Sequence, residues 1–140
     1  MEDVPMLKLI VGVKGSGKTK TLIELANDAV GKSNGDVICI EKGSKLIHEI
    51  KYQARLIDTT EFNISSADEL YGLIAGVYAS NRDVTDIFID SALKICDCTL
   101  DVFEAFIDRV AALAEKHGIN FVITSSIPSN ELTPGLAKYV

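Results

Sequence analysis

Eight consecutive residues, Gly12-Val13-Lys14-Gly15-Ser16-Gly17-Lys18-Thr19, satisfy the spacing G-x-x-x-x-G-K-[ST] at every fixed position. Each residue type answers a need of polyphosphate chemistry. Glycines allow backbone conformations that a side chain blocks, so successive N–H groups can turn inward toward phosphate oxygens. A helix opening at Lys18 adds the positive end of its dipole. Lys18 supplies a mobile ammonium for the β- and γ-phosphates, and Thr19 a hydroxyl for Mg²⁺, which usually keeps several waters and bridges phosphates. Gly12, Gly15, Ser16, Gly17, Lys18, Thr19 and Lys20 therefore form the candidate nucleotide-binding set. With Gly at about 7% of residues and ordinary Lys, Ser and Thr frequencies, a chance match in the chain comes to roughly 0.5%. A merely flexible glycine turn explains neither the lysine nor its placement, whereas Lys14 reads more simply as a solvated loop lysine.

A second carboxylate belongs with this loop. Thr85-Asp86-Ile87-Phe88-Ile89-Asp90 is an apolar run that delivers Asp90 at its end. In an open α/β sheet, ligands bind at the carboxyl edge of the strands. There Asp90 is expected to hold a Mg²⁺-bound water beside Thr19, so Thr19 and Asp90 are the metal candidates, through water. The residue after Asp90 is Ser91.

The elements that must position these groups are legible in the hydrophobic pattern. Residues 7–11 read as a strand ending at Gly12, followed by a helix from Lys18 with apolar positions at Leu22, Leu25, Ala26, Ala29 and Val30 and a stop at Gly31. Residues 37–40 read as a buried strand, residues 45–52 as a short helix, and residues 55–59 as a weaker strand. Ser66 with Glu69 forms a capping box before a helix lined by Leu70, Leu73, Ile74, Val77 and Tyr78. After the strand ending at Asp90, Thr99 caps a helix with Phe103, Phe106, Ile107, Val110, Leu113 and Ala114 on one face, ended by Gly118. Residues 121–124 are the last clear strand, and the structure of residues 128–140 is left open. Apolar strands alternating with helices predict an α/β three-layer sandwich around a mainly parallel sheet of about five strands, as one domain over residues 1–140.

The octapeptide resembles the Walker A motif of the P-loop NTPase superfamily, and the run ending at Asp90 resembles Walker B. Val13 stands where a variant class carries a second lysine, so that variant is not assigned. The arrangement resembles the RecA-like branch, in which a water-activating glutamate ends the strand after the P-loop helix and Asp-Ser can end Walker B. Here those positions are Glu41, after Val37-Ile38-Cys39-Ile40, and Asp90-Ser91. The resemblance implies a catalytic set of Glu41, Lys18 and Asp90, with Glu41 orienting or deprotonating the attacking water. The bland alternative is an exposed strand-end acid near Lys42 and Lys45. Thr124, Ser125 and Ser126, expected just after the last strand, resemble the polar sensor position at the γ-phosphate; ordinary loop-start hydroxyls are the alternative. The whole chain is also similar to short ATP-binding proteins of anaerobic Gram-positive bacteria.

Composition bounds the remaining choices. The 140 residues carry 14 Lys+Arg against 20 Asp+Glu, a net charge of −6. That balance disfavours a general nucleic-acid binder, which needs a basic surface. Three cysteines make no even disulfide framework and suggest a reducing compartment, hence the cytoplasm. Residues 1–5 show no leader pattern, and no apolar run reaches the ~18 residues of a membrane span. Cys96-Asp97-Cys98 lacks the second ligand pair of a zinc site, with His48 and His117 remote in sequence; Cys39 reads as core and His117 as a helix-end residue. Gly72 and Gly76 read as small residues allowing close helix–sheet packing. Of three arginines, Arg55 and Arg82 are better placed than the helical Arg109 to meet transition-state charge.

Three functions fit. The first is a Mg-nucleotide-dependent ATPase or switch, with slow or partner-stimulated hydrolysis and another protein or another copy as partner. The second is a nucleotide-binding regulatory module without turnover. The third is a small nucleoside or nucleotide kinase, disfavoured by the scarcity of arginine clamps. The absence of an N-K-x-D base-recognition motif favours adenine over guanine.

Overall fold

A computed structural model describes residues 6–140; the leader reading of residues 1–5 lies outside them. Five strands form one sheet: β1 (Leu7–Gly12), β2 (Asp36–Glu41), β3 (Arg55–Asp58), β4 (Val84–Ile89) and β5 (Asn120–Ser126). Their order across the sheet is β1-β5-β4-β2-β3, and every neighbouring pair is parallel. Parallel strands bury both faces, which is why the sequence shows apolar runs rather than strict alternation.

Alternate side chains feed two separate cores. On one face Val37, Cys39 and Phe88 pack against Leu22 and Ala26 of helix α1 (Lys18–Lys32). On the other, Leu9, Ile38, Ile40, Ile87 and Ile89 meet Leu70 and Ile74 of α2 (Ala67–Ser80) and Phe103, Phe106 and Val110 of α4 (Leu100–His117). The molecule is thus α/β, with helices on both sides of an all-parallel sheet. A five-residue helix α3 (Ala92–Cys96), not anticipated from the sequence, follows β4 at the sheet's carboxyl edge.

Several local expectations are corrected. Helix α1 runs through Gly31 to Lys32, because the Ser33 N–H still reaches the Ala29 carbonyl at 2.7 Å. The helix expected over residues 45–52 contracts to one 3-10 turn, Lys45–His48. Thr124, Ser125 and Ser126 lie inside β5, paired with β1, rather than after it. Gly72 and Gly76 face open space: a methyl added at either meets nothing within 4 Å, so they permit no close approach. Thr99 is the N-cap of α4, yet its hydroxyl engages Asp101 instead of a backbone N–H. The open tail adds a 3-10 turn, Ser129–Glu131, and helix α5 (Pro134–Ala137). Its Tyr139 carbonyl accepts the Leu9 N–H at 2.8 Å, extending β1's hydrogen bonding.

The capping box is present with a shifted second arm. Ser66 Oγ accepts the Glu69 N–H at 3.1 Å, while the Glu69 carboxylate accepts from the Ser65 N–H, not that of Ser66. The Ser65 N–H first, and the Ser66 and Ser65 hydroxyls after it, hold the Glu69 carboxyl below its usual range. Replacing Ser66 with Ala leaves one N–H of the first turn without its cap, so thermal unfolding should show a loss of about 1 kcal/mol.

Candidate functional site

The carboxyl edge gathers the chemistry. Register aligns Gly12 of β1 with Ser126 of β5, Ile123 of β5 with Ile89 of β4, and Ile40 of β2 with Ile89. The residues beyond those pairs, the phosphate-loop candidates, Asp90 and Glu41, therefore end on one rim. β5 separates the strand that enters the loop from the strand that delivers Asp90.

The loop is shaped by its glycines. Gly17 caps α1 in the left-handed conformation at φ 89° and ψ 13°, which admits glycine far more readily than other residues. A methyl at Gly12 would lie 2.6 Å from Ser16 Oγ, closer than atoms pack. Beyond the loop, the start of α1 departs from normal helix electrostatics. No side chain caps it and its first turn holds no acid; Lys18 and Lys20 stand there instead. Helix α2, by contrast, opens with the Ser66 cap, Asp68 and Glu69. Cations at the positive end of a helix are unfavourable. The arrangement becomes favourable when an anion supplies the missing charge and accepts from the uncapped N–H groups.

Lys18 Nζ donates to the Val13 carbonyl at 2.8 Å and lies 3.4 Å from Ser16 Oγ. The Thr19 hydroxyl donates to the Asp90 carboxylate, 3.1 Å from Oδ1 and 3.3 Å from Oδ2, joining residues 71 positions apart. Asp90 is fixed from behind by Thr124, whose hydroxyl donates to Oδ1 at 2.8 Å and accepts the Ser91 N–H at 2.8 Å. Ser91 is held at φ 57°, a conformation sparsely occupied by non-glycine residues. Ser125 Oγ accepts the Leu93 N–H at 3.3 Å. Thr124 and Ser125 are buried and anchor the turn into α3; Ser126 is the member of the trio that lines the cleft.

Glu41 is buried, at 5% exposure, which removes the alternative of an exposed strand-end acid. Its carboxylate accepts from the backbone of Lys45 at 3.2 Å and Leu46 at 2.9 Å. Burial raises its pKa, the two N–H groups oppose the rise, and the negative charges of Asp90 and Asp58 add to it.

A cleft of about 870 Å³ opens between the loop, the 3-10 turn after β2, and α3. Five lysines line it: Lys14, Lys18 and Lys20 from the loop and first turn, Lys45 from the 3-10 turn, and Lys94 from α3. The ion pairs among the described residues use Lys32, Arg109 and Lys138, so none of the five cleft ammonium groups is paired, and they outnumber the two carboxylates of the lining, Asp90 and Asp97. On a chain of net charge −6 this is a concentrated positive field. Lys45 and Lys94 were not singled out from the sequence. The available signal was a lysine four residues after each strand-end carboxylate, Glu41 and Asp90.

No arginine lines the cleft. Arg55 begins β3, at the end of the strand opposite Asp58; Arg82 stacks over Tyr78, with its guanidinium 5.0 Å from the ring centre. Arg109 pairs with Asp68 at 3.0 Å. The thiols carry no evident chemistry: burial pushes Cys39 and Cys96 up to about 12. Among the described residues no group of three or more His, Cys, Asp or Glu side chains is placed to hold a metal by itself. The hydroxyl and carboxylate of Thr19 and Asp90 are hard oxygen donors of the kind Mg²⁺ takes when phosphates and water complete its shell. Among the described residues, no helix is long and apolar enough to cross a membrane. No protein-family model matches the chain, and no curated protein sequence matches it.

Proposed function

We propose that this chain is a minimal P-loop domain of RecA-like type that binds a magnesium nucleoside triphosphate, ATP foremost, and hydrolyses it slowly or on contact with a partner. The observation that carries the reading is the Thr19–Asp90 hydrogen bond beside an uncapped, lysine-bearing helix start. Two motifs remote in sequence converge there on one anion-ready corner. In this reading the loop N–H groups and Lys18 bind the β- and γ-phosphates. Thr19 and Asp90 hold Mg²⁺ through water. The ion, when bound, neutralises charge developing on the phosphate oxygens. Thr124 orients Asp90, and Ser126 faces the nucleotide from β5.

A regulatory module without turnover is the second reading, and the hydrogen bonds of Glu41 favour it. Two backbone N–H groups take part of that carboxylate's accepting capacity and turn it toward the 3-10 turn, which makes it less available to a water. The lack of arginine at the cleft weighs against a kinase for phosphorylated acceptors. Calorimetric titration with ATP, GTP and ADP in the presence of Mg²⁺, beside a phosphate-release assay with and without nucleosides, separates these. The expected result is micromolar ATP binding and slow phosphate release with no phosphorylated acceptor. Binding without release at high protein concentration selects the regulatory reading, and no binding of any nucleotide removes both.

A further inference from the structure

Three buried polar groups at the carboxyl edge, Glu41, Thr124 and Ser125, share a feature: each fixes the backbone of a segment that brings a lysine to the cleft. Glu41 grips the N–H groups of Lys45 and Leu46, so the start of the 3-10 turn, and Lys45 with it, is tied to the end of β2. Across the cleft, Thr124 grips the Ser91 N–H and Ser125 the Leu93 N–H, tying the first turn of α3, which carries Lys94, to β5. Both lysines are exposed, both line the cleft, and neither is in an ion pair among the described residues. Holding two unpaired ammonium groups toward an already cationic cleft is unfavourable by itself. It costs least when an anion with more charge than the loop can neutralise sits between them.

We infer that Lys45 and Lys94 form a two-sided clamp on the terminal phosphate of the bound nucleotide, supplied by this chain itself in place of an arginine. The inference rests on the nucleotide reading above and adds which part of the ligand is recognised. The loop and Lys18 draw much of their binding from the β-phosphate, which di- and triphosphates share, and reach the γ-phosphate from one side only. Lys45 and Lys94 rise from the 3-10 turn and α3, outside the loop, and discriminate ATP from ADP. Glu41, Thr124 and Ser125 are positioning residues in this scheme.

The test measures the affinity of Mg-ADP and of a magnesium-bound non-hydrolysable ATP analogue for the wild type, Lys45→Gln, Lys94→Gln, and the Lys→Arg counterpart of each. The wild type is expected to prefer the triphosphate. Each Gln variant should lose about tenfold in triphosphate affinity and less than about twofold in ADP affinity, with each Arg variant near wild type. Equal losses for both nucleotides, or an unchanged preference in both Gln variants, overturn the clamp while leaving the nucleotide reading intact. A wild type that binds both nucleotides equally overturns the clamp without recourse to any variant. A wild type that binds neither overturns the nucleotide reading and the clamp with it.

Discussion

Lys18→Ala should lower Mg-ATP affinity by about 30–150-fold while leaving the melting temperature near that of the wild type. A hydrogen bond to a charged group is worth about 1.5–3 kcal/mol, and the upper part of that range corresponds to this loss. The effect on phosphate release should be larger, about 10²–10³-fold beyond the loss in binding, because the charge met by the ammonium grows in the transition state. Stability is spared for a structural reason. Nζ hydrogen-bonds to the Val13 carbonyl and Ser16 Oγ, both in the exposed loop, so its removal leaves no buried group unpaired. It also relieves repulsion in a cleft where five lysines outnumber two carboxylates. Calorimetry at fixed Mg²⁺ with a parallel thermal melt checks both halves. Wild-type affinity in a folded Lys18→Ala protein would remove the loop from nucleotide binding.

What was legible beforehand, and what was not, divides along physical lines. The strands and long helices follow from burial, which leaves a periodic record: Phe103, Phe106, Ile107 and Val110 sit where helical spacing puts them, all buried. The loop was legible because its conformations require residue types that few other contexts select. Short elements left no such record. Helix α3 has five residues, too few for a period, and its entry depends on Ser91 at positive φ, which no sequence pattern announces. The 3-10 turn after β2 is held by the Glu41 carboxylate, a tertiary hydrogen bond that hydrophobic spacing cannot encode.

The same limit applied to the site. Residue type marked Glu41, Thr124 and Ser125 as polar groups at strand ends, and the resemblance to the RecA-like branch implied direct contact with ligand. Their hydrogen bonds point inward, to backbone N–H groups and to Asp90, so the side chains reaching the cleft are their neighbours Lys45, Lys94 and Ser126. A buried polar group must be satisfied, and here satisfaction and positioning are the same set of bonds. Lysines at a cleft rim carry no local signature, since an exposed lysine is the ordinary surface residue. Their meaning appears only when the fold brings five of them to one cleft with two carboxylates, Asp90 and Asp97, and none of the five in an ion pair among the described residues.

Asp90→Asn is expected to uncouple nucleotide binding from Mg²⁺. The change conserves shape and keeps one oxygen to accept from Thr124, whose hydroxyl lies 2.8 Å away, so the turn into α3 stays anchored. It removes the negative charge that a hydrated cation would meet. Loss of a group that holds a metal through its water typically costs about 10–100-fold in metal affinity. Phosphate release should fall at least as far. Affinity for metal-free ATP should hold or rise, because a carboxylate facing the triphosphate has become neutral. That opposite response separates loss of the metal-holding charge from general damage to the cleft, which would weaken binding with and without Mg²⁺. Asp90→Ala makes the contrast. It deprives the Thr124 hydroxyl, at 1% exposure, of its acceptor. That should lower stability by about 1–3 kcal/mol, visible in denaturant unfolding. If Asp90→Asn binds Mg-ATP with the wild-type dependence on Mg²⁺, Asp90 does not hold the metal. Its bonds to Thr19, Thr124 and Ser91 are then purely architectural.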